Sequence, residues 1–343
     1  MKNNENWQEL AFHLGDFVLG SGHVLRGAIL RYHQFGALNA PKDNLVLLPT
    51  YYGGVGASNR AWVDAPNSPL GAGDYCVIIP CLLGAGESSS PSNTRGAQAG
   101  PHFPLVSIAD NVRAQHQLLA ARFAAAHPRL VMGWSMGGIQ SLQWAYDYPR
   151  EVGSVLAICA TANCHPHNQV FLQGVASALT ADAAFAGGHY REPPIRGLSA
   201  FATVYAGWAY SQAFFRNGLY RQLGFTSVEA LLQFWIEDHL NQDANNLLAQ
   251  LRTWQSANLL DPDSKGAAAD RTSHRVQCPG ILMPSSTDLY FTAVDAARDA
   301  AALGLECRVL NSDFGHVAGG PGRLPGETAT ILAAAAELLE ATA

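Results

Sequence analysis

Charge is scarce in this 343-residue chain. Asp, Glu, Lys and Arg together make up 14% of it, and the formal balance is −6 with no long basic run. A surface without a basic patch has no electrostatic hold on nucleic acid or on an anionic membrane, so neither is expected as a partner. Long apolar runs are missing as well. The N-terminal MKNNENWQEL is polar and lacks the apolar core of a secretory signal, and the C-terminal ILAAAAELLEATA is short and carries Glu337 and Glu340. A cytoplasmic protein with no membrane partner is the expectation. Cysteine is present at six scattered positions but never as Cys-x-x-Cys, which excludes a zinc-ribbon signature. Cys76, Cys159 and Cys278 lie in or beside apolar runs and are expected to be small buried hydrophobes in a reducing compartment. His-Glu-x-x-His is absent. The nearest histidine pair, His165 and His167 in NCHPHNQ, has Pro166 between its members, which is expected to break any helical register. LGAGESSSPS (83–92) lacks the Gly-Lys-Ser/Thr ending of a phosphate loop. No metal and no cofactor are expected.

What is present is apolar residue in abundance, 48% of the chain, arranged with a strand–helix rhythm. AFHLGDFVLGSGHVLRGAILRYHQFG predicts two strands joined at Gly20-Ser21-Gly22. NLVLLP, YCVIIPCLL, RLVMGW and VGSVLAICAT are short, near-continuous apolar runs, as in strands covered on both faces. Between them, SIADNVRAQHQLLAARFAAA has Ser107 three residues before Asp110 and then apolar positions at helical spacing, and MGGIQSLQWAYDY predicts a second helix. Strands alternating with helices argue for a mostly parallel, twisted sheet flanked by helices. The rhythm stops between about Cys164 and Arg275, where SVEALLQFWIEDHL has helical spacing, and resumes at PGILMP, ECRVLN and a final helix from about Glu327. The expected layout is a core in two parts, 1–163 and 277–343, with a helical cap inserted at 164–276.

VMGWSMGG (131–138) stands at a predicted join of strand and helix, and Gly133-Trp134-Ser135-Met136-Gly137 fits Gly-x-Ser-x-Gly. In that context the glycines admit a close strand–helix approach and the serine sits at a strained apex. The Met136 amide, at the helix N-terminus, is then placed to receive an oxyanion. A serine nucleophile needs a base, and the base needs an orienting acid, in the chain order Ser, Asp/Glu, His for such a fold. The strand GILMPSSTD delivers Asp288 past its end, and ECRVLNSDFGH delivers His316. Asp313 competes for the acid's place, but it lies three residues before His316 in one loop, so Asp288 is preferred. PTYYGGVG (49–56) is the expected source of a second oxyanion donor, the amide of Tyr51 or Tyr52.

With these residues in view, the sequence resembles the homoserine O-acetyltransferase branch of the α/β-hydrolase superfamily. GWSMGGIQSLQWAYDYP, GDYCVIIPCLLGAGESSSPS, FPLVSIADNVRAQHQLL, GGHYREPPIRGLSAF and NQDANNLL carry the resemblance, in the family's order and over most of the chain. It implies an α/β-hydrolase fold with a helical cap that makes a homodimer, a triad of Ser135, Asp288 and His316, and an oxyanion hole from the amides of Tyr51 and Met136. Three departures concern the amino-acid substrate. The family's aspartate after the histidine is Val317 here. Its cap arginine has no counterpart in GLSAFATVYAGWAYS (197–211), and its Arg-Phe-Asp is Asn241-Gln242-Asp243. A buried zwitterion needs charged partners. Their loss argues against homoserine, with Arg191 or Arg196 left as the cations that could replace them. Aromatic side chains stand in the vacated region, and Tyr52, Trp134, Phe201, Tyr205, Trp208 and Val317 are expected against the substrate, with Tyr210 and Phe214 nearby.

The sequence therefore predicts a serine hydrolase that cleaves a carboxylic ester or related small-molecule acyl compound through an acyl-enzyme on Ser135. The alternatives are a CoA-dependent O-acyltransferase with an acceptor other than homoserine, and a non-catalytic small-molecule binder on the same fold.

Overall fold

The computed structural model describes residues 7–260 and 275–342. β1 (Trp7–Val18) and β2 (Val24–Phe35) form an antiparallel hairpin, closed by the Leu19 amide donating to the His23 carbonyl at 2.8 Å. β2 pairs antiparallel with β4 (Cys76–Pro80), and from there the sheet is parallel through β3 (Leu45–Leu47), β5 (Leu130–Trp134), β6 (Val155–Ile158), β7 (Gly280–Met283) and β8 (Glu306–Cys307). The strand order is β1-β2-β4-β3-β5-β6-β7-β8. Every residue of β3, β4, β5 and β6 is buried, which is why their sequences run apolar without alternation. β8 is shorter than ECRVLN suggests: it pairs with β7 over Glu306–Cys307 only.

Helices α1 (Gly56–Asp64), α2 (Ile108–Arg122), α3 (Met136–Asp147), α9 (Ala293–Leu303) and α10 (Pro325–Glu340) belong to the sheet layers. The start of α2 is set by a reciprocal cap: Ser107 Oγ accepts from the Asp110 amide at 3.1 Å, and Asp110 Oδ2 accepts from the Ser107 amide at 3.0 Å.

Between β6 and β7 the chain leaves the sheet and forms α4 (Pro166–Thr180), α5 (Ile195–Ala209), α6 (Gln212–Arg216), α7 (Val228–Leu240) and α8 (Ala244–Gln255). Pro166 does not interrupt a helix here; it begins α4, at the first-turn position where its missing N–H costs nothing. The helical run is held together by its own aromatic core, in which Phe201, Phe214 and Trp254 are fully buried. Its two ends meet. The Cys164 amide donates to the Ala257 carbonyl at 2.8 Å and the Leu259 amide to the Ala162 carbonyl at 3.2 Å, around a bridge between Asn163 and Asn258. The expected insertion, 164–276, takes in residues 261–274, which lie outside those described.

Candidate active site

The turn between β5 and α3 is strained. Ser135 has φ 58° and ψ −128°, a backbone conformation costly for a residue with a side chain, and it persists because its surroundings hold it. The Ser135 amide donates to the Ile158 carbonyl at 2.9 Å, and its carbonyl accepts from Ile139 at 3.0 Å. The flanking glycines are required by space. A Cβ on Gly133 would stand 2.2 Å from the Gly137 carbonyl carbon, and one on Gly137 would stand 2.5 Å from the Pro49 carbonyl oxygen. Gly137→Ala therefore drives β3's following loop away from the turn. The expected result is a stability loss of about 1–3 kcal/mol together with reduced turnover. Thermal unfolding and ester hydrolysis measure the two; a variant unchanged in both would mean the contact relaxes freely.

β7 and β8 deliver the other two groups to the same edge of the sheet. Asp288 follows β7, and His316 lies in the short 3-10 turn 315–319 after β8. His316 Nδ1 lies 2.7 Å from Asp288 Oδ2, and both side chains are buried. Asp288 Oδ1 accepts from the amides of Tyr290 at 2.8 Å and Phe291 at 3.1 Å, so the carboxylate cannot rotate without losing partners. The imidazole is fixed in turn. It stacks on Trp134 with centroids 4.9 Å apart and meets the Tyr290 ring edge-on at 4.8 Å, and Trp134 Nε1 donates to the His316 carbonyl at 3.1 Å. Asp313 is exposed instead, and its carboxylate lies 3.5 Å from Asn217 Nδ2.

Ser135 and His316 line one cavity of about 170 Å³, walled also by Tyr51, Tyr52, Trp134, Tyr205 and Val317. A wider groove of about 940 Å³ lies over the β1–β2 hairpin and shares none of these residues. Two residues expected at the substrate are placed elsewhere. Phe201 is fully buried behind the wall, stacked on Tyr205 at 5.5 Å and Tyr52 at 6.5 Å. Trp208 turns toward Phe171 and His167, each 4.9 Å away. Helix period alone does not separate them, since Phe201, Tyr205 and Ala209 follow one another at four-residue spacing on α5, yet only Tyr205 and Ala209 reach the cavity. Tyr210 and Phe214 stack on each other at 4.2 Å inside the helical run.

Sequence reasoning missed part of the wall. Trp235, Asp238, His239 and Gln242 come from α7 and the turn after it, Tyr290 from the loop after β7, and Arg323 from the segment after His316. Trp235, Asp238 and His239 share one helical face, a spacing that SVEALLQFWIEDHL contains, and Gln242 follows in the turn after it. Arg323 had no such signal. It sits over the Trp134 ring at 5.7 Å, whereas Arg191 and Arg196 are exposed and do not line the cavity. The wall expected to be apolar thus carries a cation, Arg323, and an anion, Asp238.

The loop after β3 is clamped from three sides. Gln250 Oε1 accepts from the Gly53 amide at 2.8 Å, Tyr52 donates its hydroxyl to the Leu247 carbonyl at 3.1 Å, and Glu87 Oε2 accepts from the Gly56 amide at 2.7 Å. A buried chain of amides reaches it from below. Trp144 Nε1 donates to Gln115 Oε1 at 2.7 Å, Gln115 Nε2 to Gln140 Oε1 at 2.6 Å, and Gln140 Nε2 to the Thr50 carbonyl at 2.8 Å. Among the described residues, neither the Tyr51 amide nor the Met136 amide meets a protein acceptor.

Two groups of side chains have the spacing of metal ligands among the described residues: His33, Cys81 and Glu87, and Cys159, Asp288 and His316. Burial pushes both thiols well above their ordinary pKa. Arg60 Nε donates to His33 Nδ1 at 3.2 Å, which places the ring's own proton on Nε2 toward Glu87. His165, one of the two histidines of NCHPHNQ, is paired with Asp299 at 3.2 Å.

Known proteins match this chain in sequence and in fold. The alpha/beta hydrolase fold family matches residues 43–191. The ethyl acetate hydrolase of Pseudomonas veronii is 33% identical over 309 residues, 89% of this chain and 88% of that protein. A crystal structure of an acetylester hydrolase from Corynebacterium glutamicum superposes with a TM-score of 0.90 at 29% identity, covering 97% of this chain and 96% of that one. The homoserine O-acetyltransferase of Zymomonas mobilis is 32% identical over 218 residues, 57% of this chain and 58% of its own. The chain belongs to the α/β-hydrolase family. Within it, the chain falls in the branch that holds esterases and homoserine O-acetyltransferases side by side.

Proposed function

We propose that this enzyme hydrolyses short-chain carboxylic esters, acetyl esters of small alcohols above all, through an acyl-enzyme on Ser135. The observation that carries the reading is the buried Asp288–His316 pair at 2.7 Å, with His316 and the strained Ser135 on one small cavity. Ser135 Oγ attacks the ester carbonyl while its proton passes to His316 Nε2. The Nδ1 proton stays with the histidine, donated to Asp288, which stabilises the imidazolium without taking the proton. The oxyanion that forms takes hydrogen bonds from the amides of Tyr51 and Met136. Collapse breaks the ester C–O bond, and the leaving alkoxide takes the proton from His316. Water then attacks the acyl-enzyme, again giving its proton to His316; the bond between Ser135 Oγ and the acyl carbon breaks, Oγ takes that proton back from His316 Nε2, and the acid leaves.

The cavity's size supports a small substrate. About 170 Å³ is below the usual range of ligand pockets, and a liquid water alone occupies ~30 Å³. The two hydrolase relatives named above point to acetyl esters. We further infer a cytoplasmic homodimer. The six unpaired thiols suit a reducing compartment, and Val204 on α5 and Phe234 on α7 offer exposed apolar contacts for a second copy.

The test supplies ethyl acetate and ethyl octanoate without an acceptor, and acetyl-CoA with L-homoserine separately. Ser135-dependent hydrolysis of the acetyl ester, preferred over the octanoyl ester, is expected. Acetylation of homoserine at kcat/KM above about 10⁴ M⁻¹s⁻¹, the ordinary enzyme range, would overturn the hydrolase reading in favour of acyl transfer. In that case Arg323 and Asp238 supply the charged partners that 197–211 lacks.

A further inference from the structure

His239 is a buried histidine that the mechanism above does not use. It is 4% exposed, lies on α7, and lines the same cavity as Ser135 and His316. Its Nδ1 is 2.9 Å from the Trp235 carbonyl and 3.3 Å from Asp238 Oδ2. Both neighbours are acceptors only, so the ring proton resides on Nδ1. Among the described residues, nothing meets Nε2. The ring is held edge and face by aromatic neighbours, Phe201 at 5.5 Å, Trp235 at 5.6 Å and Tyr205 at 6.0 Å. Burial lowers its affinity for a second proton, although the Asp238 carboxylate beside it works the other way, and a neutral ring leaves a lone pair on Nε2.

A fixed lone pair on the wall of this cavity accepts from water until a substrate donor displaces it, and a ligand group that reproduces that hydrogen bond is favoured over one that cannot. The ester group cannot supply that donor, since its oxygens are acceptors only. Trp235 and Tyr205 do not turn a donor toward it: Trp235 Nε1 donates to the Tyr210 hydroxyl at 3.3 Å. We propose that His239 is a specificity-determining residue whose Nε2 accepts a hydrogen bond from a hydroxyl group of the substrate, so that the favoured esters carry a free hydroxyl beside the ester group. The proposal rests on the hydrolase reading and adds the substrate class: short acyl esters of diols, or esters of short hydroxy acids.

Three esters of nearly equal size test it: ethyl acetate, 2-hydroxyethyl acetate, with the hydroxyl on the alcohol side, and ethyl glycolate, with the hydroxyl on the acyl side. One hydroxylated ester should exceed ethyl acetate in kcat/KM by about tenfold, the value of one neutral hydrogen bond to a buried acceptor. The arm that gains tells which half of the substrate faces α7. In His239→Phe, and in His239→Leu as a second variant, the ratio should fall to near one. In His239→Gln, which keeps an acceptor, part of it should return. Reaction of Ser135 with a fluorophosphonate probe checks that each variant retains its site. Equal kcat/KM for all three esters in the wild type, or a ratio that survives in His239→Phe and His239→Leu, overturns the proposal and leaves the hydrolase reading standing. If the wild type hydrolyses none of the three, the hydrolase reading falls and this one with it.

Discussion

Ser135→Ala should lower kcat for ester hydrolysis by a factor on the order of 10⁴–10⁶, because the nucleophile and its base act as one unit and neither retains much value alone. The structure adds a reason to expect a clean result. Ser135 holds its place through backbone hydrogen bonds to Ile158 and Ile139, none of which involves the hydroxyl, and its side chain is only a small part of the core. Alanine also keeps a Cβ, so the strained φ of 58° is neither relieved nor worsened. The variant should fold with an unchanged thermal midpoint and fail to react with a fluorophosphonate probe. Turnover within tenfold of the wild type, in a preparation free of contaminating esterase, would mean that another group carries the acyl chain.

Asp288→Asn should cost about 10³–10⁴ in kcat, while Asp313→Asn stays near the wild type. The magnitude follows from hydrogen-bond direction. Oδ1 of Asp288 accepts from two backbone amides, those of Tyr290 and Phe291, and those donors cannot turn away. An asparagine must therefore put its carbonyl oxygen there and its NH₂ toward His316. That forces His316 Nδ1 to accept, which moves the ring proton to Nε2, where it cannot receive the proton of Ser135. Asp313 makes no comparable contact; its exposed carboxylate only approaches Asn217. A near-normal Asp288→Asn beside an inactive Asp313→Asn would reverse the choice of acid.

The parts of the site that could be read from sequence are those that local physics dictates. The serine turn was legible because two glycines and a strand–helix join have few structural explanations, and the contacts a Cβ would make at Gly133 and Gly137 show why. Asp288 and His316 were legible because each follows a run read as a strand of the sheet, the second of which is a strand over Glu306–Cys307 alone. The cavity wall was not. Phe201, Tyr205 and Trp208 are equally aromatic in sequence, and nothing in their spacing tells that Tyr205 lines the cavity with Ser135 while Phe201 lies behind it and Trp208 points away. Arg323 lies outside any periodic element, so no spacing announces it. His239 was within reach of a helical-period argument, but period shows which residues share a face, not what the face looks upon. Cys159, with φ 44° and its thiol close to Asp288 and His316, is a third kind of omission: a strained position with no glycine to mark it.

The run of buried amides beneath the loop after β3 has a polarity, fixed at one end by an indole and at the other by two backbone carbonyls, those of Thr50 and Met136. Trp144 can give a hydrogen bond and cannot take one, so Gln115 must turn its oxygen toward the indole and its NH₂ onward. Gln140 is then obliged to do the same, and the Thr50 carbonyl receives the last bond. A trans peptide unit carries its C=O and N–H in opposite directions, so pinning the Thr50 oxygen toward Gln140 aims the Tyr51 N–H the other way, to the side where the proposed oxyanion forms. The orientation of that donor is thus written in part three side chains upstream. Replacing Trp144 by phenylalanine frees Gln115 to reverse, while Gln140 keeps its hold on the Thr50 carbonyl through a second bond to the Met136 carbonyl at 3.1 Å, so the facing of the peptide between Thr50 and Tyr51 loses one of its two supports.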